Sequence, residues 1–281
     1  MTADSSRMRL GGMALANGLM VHGPTQWAAA VVDDDGQTLV ASGPRPRLST
    51  GPLGRIPLAR GVVRMAEMLM VVPAVRRGMP EARLAMEDAP MAPMMAGSMV
   101  ATAASRRLLR SGIAQEAAAA VLGLAPPLLM LRASDASAWH AVEHKSIAAY
   151  ERGGEAGIAD NAAEPKEHMR CGSNLVAPLL VATAAGNLLV RRLPSRRARL
   201  LGRAAVMAGG IGAAVEAFAF AERHPRNPLS RAVHWSGHAI QAGFVTREPD
   251  EAQLAVGRAA MEEILRAERS VQAASSVEAT A

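Results

Sequence analysis

The chain has 281 residues, half of them hydrophobic but only 2% aromatic, with a net charge of +6 and a single cysteine. One cysteine excludes an internal disulfide framework. With so few aromatics there is little to stack bases, so no nucleic-acid partner is expected despite the basic balance. Ala, Met, Leu and Val carry the apolar mass, which suits closely packed helices. The cations are almost all arginine, and such a balance suits anionic lipid headgroups.

Residues 1 to 9 read as a disordered start, and no secretory signal is expected there. Residues 1–57 read as a β-rich region. Trp27–Val32 and Gln37–Val40 flank Asp33-Asp34-Asp35-Gly36, which predicts a β-hairpin with an Asp-Gly turn. Residues 58–90 hold an amphipathic helix from Leu58 to about Val75 and a connection. Arg60, Arg64 and Glu67 share one face of that helix. It suits packing on a core or lying on a membrane surface.

Residues 91–222 form an apolar helical region. Met91 to Ala104 is short, Ile113 to Leu131 is about a bilayer's length, and Ser173 to Val190 carries no charge. Leu200 to Ala221 is interrupted only by Arg203 and Glu216. About 20 apolar residues span the hydrocarbon layer, so a multi-pass membrane protein is expected, with a soluble helical core as the alternative. Partners would be the bilayer and a membrane protein or a second copy of the chain. With four spans, Arg106, Arg107 and Arg110 share a side with Arg191, Arg192, Arg196, Arg197 and Arg199. The positive-inside rule places that side in the cytoplasm. The polar N-terminal region without a signal places the termini there instead. Residues 223–268 read as a polar helical region, with a last helix from Asp250 to Glu268, and residues 269–281 as a disordered tail.

The chemistry centres on His140-Ala141-Val142-Glu143-His144. Histidines four apart share a helix face and can grip one divalent cation, zinc by preference. Glu143 is placed to act as general base. A third ligand is needed, and His168, Cys171 and Glu216 are the candidates. Cys171 at a helix start beside Arg170 could also be a nucleophile. Glu216 is a carboxylate in an apolar helix, costly unless it is functional or paired. His234 and His238 repeat the spacing without a glutamate and read as structural. These features allow metal-assisted hydrolysis or a non-catalytic membrane scaffold.

The ordered blocks Leu10–Pro24, Ile56–Val63, Trp139–Tyr150, His168–Ser173 and Val245–Glu251 resemble the YqhQ-like bacterial proteins. That family is described as predicted metal-dependent membrane enzymes, and the resemblance implies a bacterial inner-membrane location. Substrate contacts are expected at Asn17 and His22, which could form a polar loop over the site, and at Lys145 and Arg170. Asn17 stands where the family has Glu, and His22 where it has Arg. The expected fold is therefore mainly α: a multi-span membrane helical bundle with a small N-terminal β-hairpin region, α+β in class.

Overall fold

A computed structural model describes residues 7–48, 52–84, 87 and 91–278. Most of the disordered start expected over residues 1–9 therefore lies outside the described residues. Four strands, β1 (Gly11–Ala14), β2 (Gly18–His22), β3 (Gln26–Val32) and β4 (Thr38–Pro44), form an antiparallel sheet in sequence order. The β3–β4 turn forms as the Asp-Gly signal predicts. Gly36 takes a positive φ of 75°, and Asp33 Oδ1 accepts the N–H groups of Asp35 and Gln37 at 3.0 and 2.8 Å.

Alternation along the strands gives the sheet two apolar faces. Leu19, Val21, Ala28 and Ala30 pack on Trp139, Val142, Val256 and Ile264 of α4 (Ala136–Gly153) and α8 (Glu251–Glu278). Met20, Trp27, Ala29 and Val31 pack on Val71 and Val75 of α1 (Ala59–Gly78). Helices α4 and α8 meet closely at Gly257, where a methyl would lie 2.5 Å from Val142 Cγ1. The last helix continues to Glu278 and does not stop at Glu268. Its Val271-Gln-Ala-Ala-Ser-Ser run holds no Gly or Pro to end it, so the expected disordered tail is helical over most of its length.

The remaining helices are α2 (Met91–Leu108), α3 (Gly112–Ala133), α5 (Val176–Val190), α6 (Arg196–Arg223) and α7 (Pro228–Ile240). Among the described residues, three helical stretches are long and apolar enough to cross a membrane: Gly112–Ala133, Gly172–Val190 and Arg196–Arg223. Their apolar windows are only 11%, 11% and 22% buried, so the protein itself does not cover them. Val121, Leu129, Val181, Leu189, Leu200 and Met207 all point outward. Exposure of that extent suits lipid and not a soluble core.

The three stretches run antiparallel to their neighbours. Glu116 of α3 meets Asn187 of α5 at 2.9 Å, and Gly186 of α5 lies against Val206 of α6. The end of α3, the start of α5 and the end of α6 therefore share one side, where α4, α8 and the sheet pack. The arginines from Arg191 to Arg199 lie at the opposite end.

Candidate metal centre

Helix α4 begins where α3 ends and is almost entirely buried, with the sheet, α8 and the 154–175 segment around it. One turn of it presents His140, Glu143 and His144 on a shared face. Their ring and carboxylate atoms converge. The two imidazole centroids are 4.3 Å apart. Glu143 Oε2 lies 3.8 Å from His140 Nε2 and 4.0 Å from His144 Nε2.

Backbone carbonyls set both imidazoles. His140 Nδ1 donates to the Val245 carbonyl at 3.0 Å, and His144 Nδ1 donates to the Lys166 carbonyl at 2.6 Å. A carbonyl can only accept, so each proton sits on Nδ1 and each Nε2 is left with a bare lone pair. Metal-binding histidines show the same second contact. His140 Nε2 faces Cys171 Sγ at 3.4 Å. His144 Nε2 is buried with no hydrogen-bond partner among the described residues, a deficit worth about 1–3 kcal/mol.

His140, His144 and Cys171 thus form a group that could hold a metal ion, with one donor atom from each and all within 4.8 Å of one another. The orphaned Nε2 of His144 and the adjacent thiol are donors a cation would satisfy, so the residues fit the group. Cys171 ends the turn that leads into Gly172–Val190, which places the group at one end of a candidate membrane span.

Residues 129–267 match the model of DUF1385, a protein family of unknown function. No curated protein and no solved structure matches the chain. The matched stretch begins near the end of α3 and stops inside α8. It contains all three members of the His/His/Cys group, Glu143, and the two carbonyls that orient the imidazoles.

Burial controls the electrostatics. It holds His144 far below the usual histidine range, at about 2, with the neighbouring His140 adding to the effect. Burial pushes the Glu143 carboxyl up, partly offset by His140 and His168. It also pushes the Cys171 thiol up to about 11, with the Glu143 charge next in effect. The expectation that Arg170 and a helix start would favour a free thiolate at Cys171 is therefore not met. Arg170 is instead paired with Glu151 and bonded to the Leu10 carbonyl at 3.4 Å. A bound cation, by contrast, would deprotonate the thiol directly.

The other expected site residues have different partners. His168 lies next to the group, its centroid 5.7 Å from that of His144, but both its nitrogens are engaged. Nε2 meets Glu151 Oε2 at 3.2 Å and Nδ1 accepts the Arg170 N–H at 3.3 Å. Burial lowers its pKa as well. Glu216 lies outside the group, and its carboxylate is held by both Nε and Nη2 of Arg60, from α1. Lys145 is engaged within the fold. Its ammonium donates to the carbonyls of Ala162 and Glu164 at 3.2 and 2.8 Å and pairs with Glu248 at 2.5 Å. Those contacts use all three of its hydrogens.

Asn17 is bonded to backbone on three sides. Its amide donates to the carbonyls of Val32 and Glu81 at 2.8 and 3.0 Å and accepts the Arg83 N–H at 3.1 Å. None of those partners belongs to the His/His/Cys group. The departure from Glu at this position therefore falls on a loop anchor. His22 lies on the α1 face of the sheet, away from the group. Of the second histidine pair, His234 is partly buried and His238 exposed.

Two contributors went unnoticed in the sequence. Glu151, seven residues after His144 and so on the same helix face, holds His168 and Arg170 together. Gly12 of β1 makes room for Glu143: a methyl there would lie 2.7 Å from its Cγ. The helical period could have found the first. Nothing short of the strand–helix packing could have found the second.

Proposed function

We propose that this chain is a multi-pass membrane hydrolase that uses a divalent cation, zinc by its donor chemistry. His140 Nε2, His144 Nε2 and Cys171 Sγ would hold the ion, and Glu143 would act as general base. The observation that carries this reading is the bare, unpartnered Nε2 of His144 beside the His140–Cys171 pair. Two imidazoles and a thiolate suit zinc, and three protein ligands leave a position for water or substrate, as catalytic zinc sites require.

When bound, the cation supplies a Lewis acid that polarises a carbonyl or phosphoryl group. Glu143 takes the proton of the attacking water at Oε2 and returns it to the leaving group. Its buried position makes it a stronger base than an exposed carboxylate. The carbonyls of Lys166 and Val245 keep the imidazoles in one tautomer and orientation. His140 keeps 16% of its side chain exposed, which leaves an approach to the group. Because Cys171 adjoins a membrane stretch, the substrate is read as a peptide or lipid-linked bond presented at the bilayer face. The resemblance to the YqhQ-like proteins supports the metal-enzyme reading.

Helix α2 is read as a fourth crossing. Ser98 bonds the Leu122 carbonyl and Gln115 bonds the Arg106 carbonyl, so α2 lies antiparallel along α3 through the same depth.

The test is turnover of peptide and lipid-ester libraries by the protein in proteoliposomes. Glu143→Gln should keep its metal and lose turnover, while His144→Ala should lose both. Equal turnover in Glu143→Gln, or none in the wild type, would leave a structural metal site in a membrane scaffold.

A further inference from the structure

A cavity of about 420 Å³ opens on the α1 side of the sheet. Its walls are His22 at the end of β2, Arg45 just past β4, Gly54, and Arg60, Arg64, Glu67 and Met68 of α1. Three guanidinium groups thus face one space. Two have only part of their hydrogens engaged. Arg45 Nη1 donates to the Gly23 carbonyl at 2.9 Å, yet its Nε is buried with no partner among the described residues. Arg64 is exposed and has no hydrogen bond or ion pair among the described residues. Arg60 is held by Glu216, and the buried Glu67 accepts the Leu48 N–H at 2.5 Å. His22 Nδ1 is also buried without a partner.

Buried polar atoms without partners are costly, and the described residues carry two here, Arg45 Nε, which is a donor, and His22 Nδ1. Their natural complement is a compact anion with several acceptor oxygens. Guanidinium forks match a phosphate in both charge and geometry. The volume lies within the range of ordinary ligand pockets. The position adds to the argument. Arg60 joins the cavity wall to α6, a membrane-spanning candidate, and Ile56, Leu58 and Leu69 beside it are exposed and apolar. An acyl-bearing molecule could therefore lay its chains there while its head enters the cavity.

We propose that this cavity is a binding site for a phosphate group, separate from the His/His/Cys group on the other face of the sheet. The ligand chemistry is a phosphate oxyanion, supplied either by an anionic phospholipid headgroup or by free phosphate. Arg45 and Arg64 grip the oxygens, Arg60 fixes the wall against α6, and His22 lines the wall with an uncharged imidazole. Burial and the Arg45 charge hold the imidazole down to about 4, which keeps it uncharged at neutral pH.

The experiment uses the full chain in detergent and follows its unfolding midpoint. The two probes are inorganic phosphate and dihexanoyl phosphatidylglycerol, with sodium chloride at matched ionic strength and dihexanoyl glycerol as controls. A saturable upward shift with either probe, absent from its control, is expected. A response to phosphate itself points to the free ion, and a response to the lipid alone points to a headgroup. Arg64→Ala should weaken the apparent affinity by about tenfold or more, as loss of a charge-assisted contact does. Arg64 is exposed and unpaired, so that variant should fold. Arg45→Gln should abolish the shift, and the metal content of both variants should equal that of the wild type. No saturable shift with either probe, or unchanged affinity in Arg64→Ala, would overturn the proposal.

Discussion

His144 donates its Nδ1 proton to the carbonyl of Lys166 at 2.6 Å, and this contact decides what the other nitrogen can do. With the proton fixed, Nε2 can only accept or ligate, and among the described residues it has nothing to accept. A helix alone would place two histidines on one face. The 166–171 segment turns them into a site, because it supplies both the Lys166 carbonyl and the Cys171 sulfur. A third imidazole, His168, is drawn aside by Glu151.

The Arg60–Glu216 pair separates an ion pair from a ligand. Glu216→Gln should lower thermal stability, because Arg60 then loses its counter-charge between α1 and α6. Metal stoichiometry, measured by elemental analysis of purified protein, should stay unchanged. A loss of metal in this variant would return Glu216 to the site.

Gly12 gives a steric test of the base. A methyl would lie 2.7 Å from both Glu143 Cγ and the Met20 carbonyl, so either the strand or the carboxylate must shift. Gly12→Ala should cost about 1–3 kcal/mol, the usual range for overpacking. It should reduce turnover and leave the metal in place, since the His and Cys ligands are not touched. Unaltered turnover would mean that Glu143 does not act from this position.

How much of this was legible in the sequence depended on whether each partner was local. The histidine pair and Glu143 follow from the helical period, and the β3–β4 hairpin from its Asp-Gly turn. The candidate membrane stretches follow from the long apolar runs. The choice among His168, Cys171 and Glu216 was not legible, because it rests on contacts across the fold. Glu216 looked costly in an apolar helix, and the arginine that pairs with it lies 156 residues away. Asn17 and Lys145 looked functional because they sit in blocks shared with the resembling family. Their bonds instead close loops: Asn17 holds 81–83 to the sheet, and Lys145 holds 162–164 and Glu248 to α4. The blocks that surround a site include the residues that hold it together, and residue type does not separate the two roles.

His22 predicts a pH dependence. Its pKa is about 4 in the fold against 6.5 for an ordinary histidine. Above pH 6.5 neither state binds the proton. Between 6.5 and 4 only the unfolded chain does, so folding stability falls as pH falls through that window, by up to about 3 kcal/mol. Arg45 and Glu268 act on the ring with opposite sign, and Arg60, Arg64 and Glu67 share its cavity. In phosphate-free buffer, denaturant unfolding of His22→Gln should show a shallower loss than wild type over that range. Identical slopes would mean that another group carries the dependence.

The central claim is that His140, His144 and Cys171 bind one cation together. The most direct test is a titration of the purified, metal-free protein with Co²⁺, followed by absorption spectroscopy. The account predicts saturation at one equivalent with a thiolate-to-cobalt charge-transfer band. That band should vanish in Cys171→Ser, and stoichiometric binding should be lost in His144→Ala. Absence of a stoichiometric endpoint in the wild type, or a spectrum unchanged by Cys171→Ser, would contradict it.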